Sequence, residues 1–327
     1  MNRVYIQAAT QISIQQPLSE SWMTEPVLSD APYVRSTDPA FRDWLNPLES
    51  RRMGKILKRA LVTAMKVMKD TGISQPDAII TGTGLGCIEN TEIFLNQLCQ
   101  EGEEMLKPTC FMQSTHNTIS SLIAIYGHCH GYNSTYSHKS ISFDSALQDA
   151  FTQIRLGDIA NALVTGNDEM TPSYFSILQR SGYVGQPGQV PAAEASVAMM
   201  LTAEDTDILC EIEDVRLFYN PESIAPVQGP VDAILMGLNG TEETDSVYRR
   251  FMTLLPAAPI LEYKHIFGEC YSASALGMYA AAHLLHKGTV PAFMTTADRP
   301  LADVRRMLVV NHSDGRNISI ITLRKAE

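Results

Sequence analysis

Slid against itself by 155 positions, the chain lays Asp77-Ala78-Ile79-Ile80-Thr81-Gly82 over Asp232-Ala233-Ile234-Leu235-Met236-Gly237, and five of the six positions are identical or exchange Ile for Leu. Each segment is a short apolar run closed by glycine. Each then passes through a turn to an acidic stretch, Glu89 to Glu92 in one case and Glu242 to Asp245 in the other. Equivalent strand-to-helix corners of a duplicated α/β unit have this form, because a repeated supersecondary unit keeps its own turn and its own helix start. Two similar halves are expected, residues 1–205 and 206–327, meeting near residues 195–215.

The segments between these corners alternate as an α/β fold requires. Val4 to Ile14 alternates apolar and polar residues and predicts a strand, and the polar, proline-rich stretch that runs to about Pro47 reads as a surface excursion. From Arg52 to Thr71 the apolar residues Met53, Ile56, Leu57, Ala60, Leu61, Ala64 and Val67 keep helical spacing until Gly72 stops them. Ser120 to Tyr126 and Ala146 to Ile154 give two further helical patterns. Arg51, Arg52, Lys55, Lys58 and Arg59 form the only basic cluster, at the spacing of one solvated helix face.

Charge and composition narrow the function. With 36 acidic residues against 25 basic ones the formal charge is -11, which repels a phosphate backbone, and no basic stripe is segregated to offset it. Nucleic acid is therefore not an expected partner. The first residues lack the apolar core of a secretory leader and no apolar run reaches a membrane span, so a cytoplasmic protein without a membrane partner is expected. The six cysteines show no C-x-x-C spacing and read as reduced thiols.

Three local motifs suggest chemistry. Thr81-Gly82-Thr83-Gly84-Leu85-Gly86 invites a dinucleotide reading, but its glycines are spaced G-x-G-x-G, and a tight structural turn explains them better. His116, His128, Cys129, His130 and His138 contain zinc-type ligands, yet three adjacent ones cannot wrap a tetrahedral ion, so a loop or helix end is preferred and neither metal nor cofactor is expected. The third is the passage from the β-like run beginning at Gly131 into the helix Ala146 to Ile154, with Ser140 in the corner. Such a corner can present a nucleophile at the positive end of a helix, although a serine there is also a preferred helix cap, and on this segment alone capping is the better account.

Gly131 to Glu169, with Ile154-Arg155-Leu156-Gly157-Asp158 and the strand Ala162-Leu163-Val164-Thr165-Gly166, resembles the nucleophile region of the β-ketoacyl-acyl-carrier-protein synthases, condensing enzymes of the thiolase fold. The resemblance extends over nearly the whole chain. Gly82-Thr83-Gly84-Leu85-Gly86 looks like the family's G-T-G-x-G turn, Glu194-Ala195-Ser196 like G-E-G-A-G, Leu238-Asn239-Gly240-Thr241 like H-G-T, and Lys264 to Gly277 like T-K-S-x-x-G-H-x-x-G-A-A-G. It implies duplicated α/β halves in a five-layered αβαβα arrangement.

The resemblance also implies a site. In that family a cysteine attacks an acyl thioester and two histidines assist decarboxylation and stabilise an enolate. Here the cysteine position holds Ser140, the H-G-T histidine position Asn239 and the second histidine position Glu269, while Lys264 is retained. A serine hydroxyl needs a base near pH 7, Asn239 cannot exchange a proton, and an ionised Glu269 would repel both a malonyl carboxylate and an enolate. Val215 to Val231 is short and proline-rich where the family has a helix ahead of H-G-T, and the C-terminal gate loop is reduced to Asn311-His312-Ser313-Asp314-Gly315-Arg316. Ser114-Thr115-His116-Asn117 resembles short synthase-like proteins of polyene pigment pathways, where a structural role capping the Ser120 to Tyr126 helix is preferred.

The expectation is a non-catalytic, chain-length-factor-like subunit of fatty-acid or polyketide biosynthesis. It would pair with an active β-ketoacyl synthase subunit and meet an acyl carrier protein. Two alternatives stand beside it: an acyltransferase using Ser140 as nucleophile with Glu269 as base, and a structural homodimer that only kept the fold.

Overall fold

The computed structural model describes residues 1–106 and 108–326. In its first part β1 (Val4–Ile12) leads through α1 (Pro47–Ser50) and α2 (Lys55–Thr71) to β2 (Ala78–Gly82). Then come α3 (Ile88–Glu101), α4 (Pro108–Ser114), α5 (Thr118–Gly127), β3 (Tyr132–Tyr136), α6 (Ser142–Leu156), β4 (Asn161–Asp168), α7 (Pro172–Arg180) and β5 (Ala195–Thr202). The second part runs β6 (Cys210–Tyr219), β7 (Ala233–Met236), α8 (Glu242–Phe251), β8 (Ile260–Glu262), α9 (Lys264–Phe267) and α10 (Ala273–Lys287). A small hairpin, β9 (Thr289–Val290) with β10 (Leu301–Ala302), precedes β11 (Arg306–Ser313) and β12 (Asn317–Lys325).

The strands order themselves β3-β2-β4-β5-β1-β6-β12-β11-β7-β8. Read outward from the β1–β6 contact, both halves repeat one pattern: two antiparallel neighbours, then two parallel ones. The contact itself is short, with Val4 opposite Ile212, Tyr5 opposite Glu211 and Ile6 opposite Cys210. The repeated sequence segments are the equivalent strands β2 and β7. Their leading aspartates do equivalent work: Asp77 Oδ2 accepts from the Ala160 N–H at 2.8 Å where β4 starts, and Asp232 Oδ2 accepts from the Arg305 and Arg306 N–H groups, both at 2.8 Å, where β11 starts.

Helices α6 and α10 fill the space between the two sheet halves, and α10 is buried from Ala273 to Leu285. A helix buried on every side is apolar over most of its surface, here with Ser274 and His283 as buried polar exceptions, and its alanines allow close approach to the strands. Helices α2 and α5 cover the outer face of the first half, with Gly72 ending α2 in the left-handed conformation. The outer face of the second half is covered by Tyr248 of α8 and by Ile224, Val231 and Leu255. Between β6 and β7 the chain forms only a 3-10 turn at Pro221–Ser223, so the fifth layer is thin where the first half carries α2. The arrangement is the αβαβα one that the resemblance implies.

Two expectations are corrected. The stretch before Pro47 is not merely a surface excursion: Trp22 is fully buried, its Nε1 donates to Tyr279 Oη at 3.2 Å, and Gln15 Nε2 donates to the Ile266 carbonyl at 2.6 Å. The segment straps across α10. Nor are the five basic residues one solvated face, because Arg59 is buried between Asp38 and Glu194 at 2.5 and 2.8 Å while Arg51, Arg52 and Lys55 are exposed. An arginine is buried in this way only when carboxylates satisfy it.

Candidate active site

The corner between β3 and α6 turns at Lys139, whose φ is +47°, in a region that costs a non-glycine residue energy. The turn is held from below by Asn311, whose Nδ2 donates to the Ser140 carbonyl at 2.9 Å, and from the side by the Lys139–Asp314 ion pair at 2.8 Å. Ser140 is not the helix cap. Ile141 occupies that position without a side-chain bond, and Ser142 instead accepts from the His138 N–H at 2.7 Å and donates to the Lys139 carbonyl at 2.6 Å. The Ser140 hydroxyl is left to face a cavity, whose wall also carries the Tyr183 phenol.

That cavity, of about 270 Å³, brings together all four residues expected from sequence: Ser140, Asn239, Lys264 and Glu269. They arrive from three places in the fold, since Asn239 follows β7 while Lys264 starts α9 and Glu269 follows it. Lys264 Nζ lies 2.7 Å from Glu269 Oε2, with both side chains largely buried at 5% and 13% exposure. Asn239 Nδ2 donates to the same Oε2 at 3.4 Å and to Thr244 Oγ1 at 3.2 Å, while its Oδ1 accepts from Thr241 N–H at 3.0 Å. Asn239 is thus fully engaged in holding the turn into α8.

Two further side chains line the cavity: His312, from the reduced gate loop, and Tyr183, which no sequence motif marks. His312 is the one imidazole on the cavity wall among the described residues. Its Nε2 donates to the Thr244 carbonyl at 3.0 Å and its Nδ1 accepts from Gly315 N–H at 3.3 Å. Burial, helped by the Lys264 charge, pushes its pKa down to about 4 against the pull of that carbonyl. It is neutral at pH 7, with both nitrogens occupied.

The electrostatics oppose an anionic nucleophile. Burial first, and then the charges of Glu269 and Asp314, push the Tyr183 phenol up to about 12. An oxyanion on the adjacent serine would meet the same carboxylates. In the first turn of α6 the fully buried Asp144 carboxyl is raised by desolvation and accepts from Ser319 Oγ at 2.6 Å and Asn311 Nδ2 at 3.4 Å. Whenever it ionises, it cancels part of the positive helix end that a nucleophile would use.

The glycine-rich turn does hold an anion, but it is the chain's own. Gly84 and Leu85 donate their N–H groups to Asp168 Oδ1 at 2.9 and 2.7 Å, Thr83 Oγ1 joins them at 3.2 Å, and Ser272 closes the ring. Burial pushes Asp168 up to about 6. No group of His, Cys, Asp or Glu among the described residues could hold a metal ion, and His128 instead ends α5 in the left-handed conformation. Asn117 sits at the cap of α5 without a side-chain cap bond.

Comparison with known proteins agrees with the geometry. The profile of the β-ketoacyl synthase N-terminal domain matches residues 21–226. A 3-oxoacyl-[acyl-carrier-protein] synthase 2 of Staphylococcus aureus (strain N315) is 24% identical over 141 residues, which span 41% of this chain but only about a third, 34%, of that relative. Among solved structures, the ishigamide ketosynthase/chain length factor superposes with a TM-score of 0.79 at 18% identity, covering 100% of both chains. The ketosynthase ApeO in complex with its chain length factor ApeC, from Xenorhabdus doucetiae, gives 0.74 at 14% identity, covering 99% of this chain and 98% of that one. A type II polyketide synthase acyl-carrier protein in complex with its ketosynthase gives 0.81 at 10% identity, with 99% of each chain covered.

Proposed function

The chain belongs to the β-ketoacyl synthase family, and from that premise we propose that it is a non-catalytic, chain-length-factor-like subunit that pairs with an active synthase in fatty-acid or polyketide assembly. The observation that carries the reading is the Lys264–Glu269 ion pair beside Asn239. Where the resemblance calls for two imidazoles, the cavity holds a carboxylate neutralised by its own lysine and an amide committed to a turn. Removing one oxyanion donor typically costs about 10²–10³ in rate, and two positions are altered here.

The serine acyltransferase alternative is weaker on the same geometry. A serine nucleophile is activated by an adjacent base. Tyr183, which shares the cavity wall with Ser140, offers a phenol, and the cavity's imidazole is fully bonded elsewhere. The mirrored strand order supports taking residues 1–205 and 206–327 as the two family halves. No helix among the described residues is long and apolar enough to cross a membrane.

Partnership is testable directly. Co-expressed with an intact, cysteine-bearing synthase of the same genome and its carrier protein, the chain should elute in a one-to-one complex that condenses acyl and malonyl units, while the chain alone condenses none. A homodimer that ignores every such synthase would overturn the reading and favour the structural alternative.

A further inference from the structure

The cavity that holds Ser140 leaves carboxylate oxygens open, while its nitrogen groups bond its own wall. Its cationic and N–H groups are each engaged by the wall at least once: Lys264 Nζ by Glu269, Asn239 Nδ2 by Glu269 and Thr244, and His312 Nε2 by the Thr244 carbonyl. Both bonds to Glu269 fall on Oε2, and the one to Asp314 falls on Oδ2, so no donor among the described residues reaches Glu269 Oε1 or Asp314 Oδ1. A second observation concerns Ser313, which lines the same wall, is 2% exposed, and leaves its Oγ without a hydrogen-bond partner among the described residues.

We propose that this cavity takes a short acyl or amide group ending in a hydrogen-bond donor, a primary ammonium fitting best, and disfavours one ending in a carboxylate. Three carboxylates, Glu243, Glu269 and Asp314, stand against two ammonium groups, Lys264 and Lys139, in the wall and at its rim, so an added cation balances the site and an added anion does not. Size limits the guest. At about 270 Å³ the space is below the usual range of roughly 300–1,000 Å³ for drug-sized ligands, so only a few-carbon group fits. The raised Tyr183 phenol is consistent with this polarity. The inference rests on reading the cavity as the family's altered acyl pocket, but needs no catalysis.

The test uses calorimetry on the full chain with three non-hydrolysable pantetheine amides, carrying 3-aminopropionyl, butyryl or malonyl groups. The aminopropionyl probe should bind at least about tenfold more tightly than the malonyl one, the scale of one charge-assisted hydrogen bond, with butyryl between. Glu269→Gln should shrink that ratio to about threefold or less. Because Glu269→Gln also strips Lys264 of its counter-ion, Asp314→Asn, at an exposed pair, is the second variant and should shrink the ratio by about twofold. Equal or tighter malonyl binding, an unchanged ratio in both variants, or no binding of the aminopropionyl probe at millimolar concentration would overturn the assignment. Such a failure with synthase pairing intact removes the ligand class alone, and loss of pairing with the binding order intact removes the subunit reading alone.

Discussion

Replacing Arg59 by methionine should lower the free energy of unfolding by about 3–5 kcal/mol, measured by urea denaturation. The guanidinium is 3% exposed and bridges Asp38 to Glu194, whose side chains are 23% and 7% exposed. Without it, Glu194 keeps the Ser36 N–H at 3.1 Å and a weak Met170 N–H at 3.4 Å but has lost its counter-charge. A buried carboxylate in that position must be protonated or drag water inward, and both are costly. Glu169, burial-shifted to about 7 and close enough to feel both Glu194 and Arg59, would lose the same cation and rise further. The control is Arg59→Met with Glu194→Gln. Removing both charges of a buried pair is far milder than removing one, so the double variant should recover at least half of the loss. If Arg59→Met costs less than about 1 kcal/mol, the residue is a surface arginine after all, as its spacing in the sequence suggests.

The second large effect comes from a single methyl group. At Gly82, the last residue of β2, an added Cβ would lie 2.4 Å from the backbone N and Cα of Phe143 and 2.6 Å from the Ser142 carbonyl carbon. These are backbone atoms of the first turn of α6, so no side chain can rotate away. The helix must shift by about 1 Å or more to restore ordinary contact, and overpacking of this kind typically costs about 1–3 kcal/mol and occasionally more. Gly82→Ala should therefore lose about 3 kcal/mol or fail to fold. Where it folds, the Ser140 corner, which continues directly into that turn, should move with it. Gly72→Ala is the contrasting control: its would-be Cβ has open space, and only its left-handed φ of +73° opposes the change, at about 1 kcal/mol. Near-native stability of Gly82→Ala would mean that the strand and helix are further apart than described.

Much of this architecture was legible because it is periodic or repeated. The Asp-Ala-Ile echo falls on β2 and β7, and the helical spacing from Met53 to Val67 falls within or just ahead of α2. What escaped was set by contacts between distant residues. Arg59 is buried by Asp38 and by Glu194, which lies 135 positions away, so its local spacing reads as an exposed face. Trp22 is buried by Phe267 and Tyr279, with ring centroids at 5.2 and 6.1 Å. In the site, the resemblance located Ser140, Asn239, Lys264 and Glu269, but residue type alone did not reveal that Tyr183 shares the cavity wall with the serine. Nor did it reveal that His312 is neutralised, since both follow from which element the chain folds back on to the cavity. Capping was the better account of Ser140 by local rules. It fails because Ser142, two residues on, makes the local bonds.

On the proposed reading, the serine at the nucleophile position carries no acyl group. Intact-mass spectrometry of the purified chain, incubated with acyl-carrier-protein thioesters beside Ser140→Ala and Ser140→Cys, tests it most directly. Unchanged mass for the wild type and Ser140→Ala is the predicted result, with an adduct in Ser140→Cys only if the more nucleophilic thiol can react without a base. An acyl adduct on the wild type that disappears in Ser140→Ala would contradict the account and make the protein a serine acyltransferase.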